Sequence, residues 1–165
     1  RWLWLAVNLG TAFFASRVIG MFEDSIEKLV ALAALMPIVA AIAGNSGNQT
    51  VALIVRALAF EEINKSNAKG LLRKELAIAV VNGILWGSVA GAFAWLLYGS
   101  IALGLVMLGA MLLNLIVGAG VGMLVPLFLQ KMGRDPAIGS SVLLTFSTDS
   151  MGFLIFLGLA TVFLV

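Results

Sequence analysis

The sequence predicts an all-α membrane protein with five transmembrane helices. Three observations predict it. First, the chain of 165 residues is 62% hydrophobic and only 11% charged, with a mean hydropathy of +1.12; soluble domains carry about 25% charged residues. Second, its apolar residues fall into long runs, each long enough for the ~20 residues a helix needs to cross the hydrocarbon core. Third, its charges, Asp149 apart, gather at the helix ends and connections, and most of the basic ones fall on one side. Ten basic and eight acidic residues leave a net charge of +2, whose placement matters more than its sum and gives no sign of nucleic-acid binding. Cysteine and histidine are both absent. That excludes disulfides and thiolate chemistry, and it removes the commonest general base and transition-metal ligand. A metal site here must be built from oxygen, which suits hard cations such as Mg²⁺ and Ca²⁺.

The first helix is expected over about 2–19, the second over 27–59, the third over 76–97, the fourth over 101–129 and the fifth over 136–165. Trp2, Trp4 and Tyr98 stand near helix ends and read as anchors at the membrane interface. The second run is too long for one straight crossing. It carries Pro37, expected to kink it, and then Gly44-Asn45-Ser46-Gly47-Asn48-Gln49-Thr50. Seven consecutive small or polar residues cannot face lipid, so they line a wet cavity, pack on protein, or mark the end of the crossing. The third helix carries Gly83, Gly87 and Gly91, and the fourth Gly118, Gly120 and Gly122; small residues at such spacing let helices approach closely in lipid. The fifth opens with Asp135-Pro136, an N-cap followed by proline at the first helical position.

Orientation follows from the connections. Five crossings gather Arg1, the 56–75 connection and the 131–135 connection on one side, with eight of the ten basic residues. The positive-inside rule makes that side cytoplasmic. The N-terminus is then expected inside and the C-terminus outside, in a multi-pass protein of the cell (plasma) membrane. Glu23, Asp24 and Glu27 form an acidic outer loop, either a solvated surface or a collector of cations.

Asp149 is the most informative residue. It stands in an apolar run that begins after Asp135-Pro136, with no Lys, Arg or His in its own segment. A carboxylate at membrane depth is costly and marks a functional site by default. Either it is neutral or a cation comes to it. Ser141, Thr145 and Asp149 recur every four residues, with Gly152 three further on, so they share one helix face. This is an all-oxygen stripe, suited to one wall of an ion path; the alternative is a neutral acid with Ser and Thr bonded back to their own helix. Asn45 lies 16 residues after Leu29, and Asp149 lies 16 before Val165. In oppositely running helices both sit ~24 Å from the outer boundary, at ~1.5 Å per residue.

The run Met36-Pro37-Ile38-Val39 to Gly44-Asn45-Ser46-Gly47-Asn48-Gln49, Arg56-Ala57-Leu58-Ala59, Lys74-Glu75, Asp135-Pro136-Ala137 and Thr148-Asp149-Ser150-Met151-Gly152 together resemble the MgtE magnesium channels over the whole chain. The resemblance implies a homodimer of five-helix subunits, with a pore lined by helices 2 and 5. It implies that Asp149 faces the pore axis and helps hold a hydrated Mg²⁺. Asn45, Asn48, Ser141 and Thr145 are then expected to complete the metal site, and Gly44, Gly47, Gln49 and Gly152 to line the pore. It also implies cytoplasmic regulatory domains, which this stretch of sequence does not contain. Ser141 and Thr145 stand where a bacterial member of the family has Asn and Ala, so details of coordination differ.

The function expected is a Mg²⁺ channel working down the electrochemical gradient, with Mn²⁺, Co²⁺ and Ca²⁺ as alternative ions. A secondary transporter coupling the cation to H⁺ or Na⁺ is the alternative mechanism, although no internal repeat is visible. A non-conducting anchor would leave Asp149 and the 44–50 cluster without a purpose. An enzyme is not expected: a Ser141 or Ser147 nucleophile would lack a base, and no second carboxylate shares the depth of Asp149.

Overall fold

The structure, a computed structural model, describes residues 2–23, 31–60 and 67–163. Among the described residues five helices follow one another: α1 (Trp2–Gly20), α2 (Ala31–Ala59), α3 (Ala68–Tyr98), α4 (Ile101–Lys131) and α5 (Pro136–Phe163). All five are long and apolar enough to cross a membrane, and the described residues contain no strand. The protein is an all-α membrane protein. The expected second-helix start at Glu27 and fifth-helix end at Val165 lie outside the described residues, as do Arg1, Asp24, Lys28, Glu61, Glu62 and Lys65.

Local chemistry fixes the ends. Ser100 caps α4, its hydroxyl accepting from the Leu103 N–H at 3.1 Å, and Gly99 supplies the left-handed residue (φ 68°) that turns the chain out of α3. Asp135 Oδ1 accepts from the Ala137 N–H at 2.9 Å, the cap expected at the start of α5. Helix α3 begins at Ala68 rather than Leu76. Charge ends a membrane crossing but not a helix: Lys69, Arg73, Lys74 and Glu75 are good helix formers. Helix α2 runs unbroken through Pro37 and through residues 44–50. Its 29 residues span ~44 Å, enough to project beyond a ~30 Å core.

The contacts show five alternating crossings. Built Cβ atoms show how tight they are. On Gly83, a Cβ would stand 2.9 Å from Leu112 Cα; on Gly87, 3.1 Å from Leu108 O; on Gly91, 2.6 Å from Gly104 O. Rising numbers on α3 meet falling numbers on α4, so the two are antiparallel, and the glycine face expected on α3 is their seam. On α4, a Cβ at Gly118 would reach 2.9 Å from Ala43 O, and one at Gly122 2.8 Å from Gly47 O, so α2 and α4 run in the same direction. Leu144 packs on Gly47, and Thr148 on Gly44; α5 therefore opposes α2. Helix α1 lies along α5 in the same sense, with the Trp4 ring over Gly139 and Phe14 edge-on to Phe146 at 5.3 Å and 64°. Trp4, read as an interface anchor, is in fact also a helix-packing residue.

Helix α4 is the hub, packed against α2, α3 and α5. An apolar core of Leu32, Met36, Val39, Met107, Met111 and Phe156 fills one half of the bundle. Toward the other half, where the basic connections gather, small and polar residues replace it. Large apolar side chains of α1 and α3, among them Leu5, Leu9, Phe13, Val81 and Leu96, point outward. In a bilayer that surface needs no cover, because lipid is as apolar as the side chains.

Candidate functional site

Three helices meet tightly where the sequence placed its polar features. Gly44 of α2 lies against Thr148 of α5, whose Oγ1 would be 3.5 Å from a Cβ on that glycine. Asn45 and Asp149, the next residues on each helix, therefore share a level of the bundle. The contact at this level is between their neighbours Gly44 and Thr148, not between Asn45 and Asp149 themselves.

Asp149 is half-buried, and no hydrogen bond or ion pair reaches its carboxylate among the described residues. Thr145, one turn earlier, is also half-buried, and Ser141, two turns earlier, is exposed. Their side chains form no hydrogen bond within the described residues. The back-bonding alternative is instead taken by other hydroxyls of α5. Ser147 donates to Leu143 O at 3.0 Å, and Thr148 donates to Leu144 O at 3.1 Å. On α2, Asn45 and Gln49 are exposed, Asn48 is half-buried, and none of these amides is hydrogen-bonded among the described residues. The amides divide by direction. Asn45, Ser46 and Gln49 line a cavity of about 290 Å³ with Asn82 and Trp86 of α3. Asn48 lies a turn beyond Gly44, the glycine that meets Thr148 of α5.

The expected glycines also divide. Gly44 is half-buried beside Thr148. Gly47 and Gly152 are buried in helix contacts, Gly47 under Leu144 and beside Gly118 O, and Gly152 against Asn114. The face holding Ser141, Thr145 and Asp149 thus carries the polar side chains, while Gly152 looks into the bundle.

The sequence reading missed the burial of Asn114 and Glu75. Asn114, at the middle of α4, is 0% exposed. Its Nδ2 donates to Thr148 O at 3.0 Å and to Val39 O at 3.3 Å. It is a lone amide in an apolar run, and that was its signal. Glu75, read as part of a connection, is 7% exposed inside α3, where Thr50 Oγ1 donates to its Oε2 at 3.3 Å. Thr50 is six residues from Gly44, so Glu75 sits ~9 Å from the level of Asp149, toward the basic end. No cluster of three or more Asp or Glu able to cage an ion occurs among the described residues. One carboxylate among neutral oxygens cannot dehydrate Mg²⁺ alone, but it can hold the ion through its waters.

A family model described as a divalent cation transporter, MgtE, matches residues 36–159. That segment spans both the amide-rich part of α2 and the Asp149 stripe. Three curated relatives, each named magnesium transporter MgtE, align over 98% of this chain. The protein of Bacillus subtilis (strain 168) is 34% identical over 161 residues. Those of Thermus thermophilus and Enterococcus faecalis are each 30% identical, over 167 and 165 residues. The chain spans 36% of the length of each. The match runs through the fold and through both polar elements, and the chain belongs to the MgtE family of divalent cation transporters.

Proposed function

We propose that this chain is the membrane part of a Mg²⁺ channel. It conducts the hydrated ion down its electrochemical gradient, as a homodimer whose pore is lined by α2 and α5. The observation that carries the reading is Asp149: a half-buried carboxylate at mid-helix with no partner among the described residues, level with α2 amides that also have none there. Groups of that kind inside a membrane demand water, an ion or another subunit. The names of the relatives supply the ion.

Mg²⁺ gives up its water reluctantly, so the ion is recognised with its shell in place. Asp149 supplies charge, and a second copy across the dimer axis doubles it. Asn45, Asn48, Ser141 and Thr145 are the metal-site groups that hydrogen-bond the shell, and the backbone at Gly44, Gly47, Gln49 and Gly152 shapes the path. Gly47 and Gly152 do this by letting helices close on Leu144 and Asn114. The same oxygen chemistry admits Mn²⁺, Co²⁺ and Ca²⁺ as alternative ions. In this reading the basic connections lie in the cytoplasm and the protein sits in the plasma membrane. Cytoplasmic regulatory domains occupy further length of the kind the relatives have.

The coupled transporter is the competing mechanism. Such transporters commonly build the site from a discontinuous helix, whereas α2 is continuous through Pro37 and residues 44–50. The deciding experiment places the protein in liposomes with a trapped Mg²⁺ indicator. The channel reading predicts influx driven by the Mg²⁺ gradient alone. Influx that requires an imposed H⁺ or Na⁺ gradient would replace it with the transporter.

A further inference from the structure

We infer that Asn114 is a positioning residue for the Asp149 carboxylate, tying α2 and α5 together one peptide away from it. The inference rests on the reading of Asp149 as the ion-binding group.

Asn114 is wholly buried on α4, the hub helix, and its single NH₂ spans two others. One hydrogen bond goes to Val39 O on α2 and one to Thr148 O on α5. The Thr148 carbonyl belongs to the peptide that leads into Asp149. Both acceptors are backbone atoms, so the amide fixes where the two helices lie rather than which side chains they carry. Gly152 makes the contact possible: a Cβ there would stand 2.6 Å from Asn114 Nδ2.

Packing alone does not explain the residue. Asn114 Oδ1 is buried with no hydrogen-bond partner among the described residues. An orphaned acceptor is unfavourable by about 1–3 kcal/mol, whereas a Leu like Leu115 beside it would fill the site without that penalty. A buried polar group kept at a net cost is best accounted for by the geometry it enforces. Here that geometry is the distance between the two helices that carry the ion-binding groups.

The test measures Mg²⁺ influx in proteoliposomes of the whole natural protein as a function of Mg²⁺ concentration. The variants are Asn114→Ala, Gly152→Ala, the double variant, and Asp149→Asn as control. A displaced carboxylate weakens binding, so Asn114→Ala and Gly152→Ala each raise the half-saturating Mg²⁺ concentration, by about three- to tenfold for coupled neighbours in contact. In the double variant the new Cβ meets no amide, so the shift equals that of Asn114→Ala alone. A purely structural amide would instead lower maximal influx in step with the amount of folded protein, leaving half-saturation unchanged. That result, with Asp149→Asn still abolishing influx, overturns the inference and spares the channel reading. Normal influx in Asp149→Asn overturns both. If Asn114→Ala does not fold, Gly152→Ala alone decides, since it displaces the amide without deleting it.

Discussion

At the scale of single residues, Asp149 was legible because the bilayer makes a carboxylate conspicuous in an apolar run. Asn114 and Glu75 were not, for different reasons. The role of Asn114 depends on two carbonyls that lie 75 and 34 residues away in sequence, and no local spacing encodes such a meeting. Glu75 follows Lys74 at the end of a charged stretch and reads as solvated; the helix that starts at Ala68 turns it inward against Thr50. That pair carries a prediction. Thr50→Val leaves the carboxylate without its donor and lowers stability by about 1–3 kcal/mol. Thr50→Val/Glu75→Gln recovers part of it, because the amide is easier to bury than the charge. Thermal unfolding in detergent reads both; a Thr50→Val protein as stable as the parent would show that the hydroxyl contributes nothing to Glu75.

At the scale of helices, number, order and direction were readable from apolar runs and the charges between them. Where each helix turns its polar face was read less fully. The 44–50 segment looked like one lining element, yet its amides divide between the side nearer α5 and a cavity shared with Asn82 and Trp86. Neighbouring residues on a helix are ~100° apart, so a contiguous polar run must serve several faces. Gly152 was assigned to the Asp149 stripe by the same periodicity, yet it is buried in close packing against Asn114. The α3–α4 seam gives a second prediction. Gly91→Ala drives a Cβ to 2.6 Å from Gly104 O, a backbone atom that cannot swing aside, and costs about 1–3 kcal/mol by overpacking. Gly10→Ala, where nothing lies within 4 Å, is neutral or gains up to about 1 kcal/mol of helix propensity. Equal melting temperatures for the two variants would contradict the seam. A third prediction uses the absence of native cysteine. Cysteines at Ser141 and Thr145 react with water-soluble thiol reagents, and Mg²⁺ slows the reaction. A cysteine at Leu154, an outward apolar position on the same helix, does not react.

At the scale of the whole molecule, sequence and structure converge on a five-crossing bundle whose hub helix has no exposed charge until its end at Lys131. The half of the bundle far from the basic connections is an apolar core that holds the helices. Toward the basic end the contacts become glycines, hydroxyls and amides, which bring backbones together, while Ser141, Thr145 and Asp149 keep partly exposed oxygen atoms. Such a division suits a protein that must be rigid and still offer a hydrated ion a polar surface inside lipid.

The central claim is that Asp149 lies in the ion path. Its most direct test is Mg²⁺ influx into liposomes down a Mg²⁺ gradient, comparing the natural protein with Asp149→Asn at matched amounts of folded, reconstituted protein. The side chains are nearly identical in size, so only charge is removed. The account predicts that influx is lost or falls at least about tenfold, the effect of ~1.4 kcal/mol or more at the site, while assembly and melting temperature stay close to those of the parent. Influx at the parental rate in Asp149→Asn would contradict it.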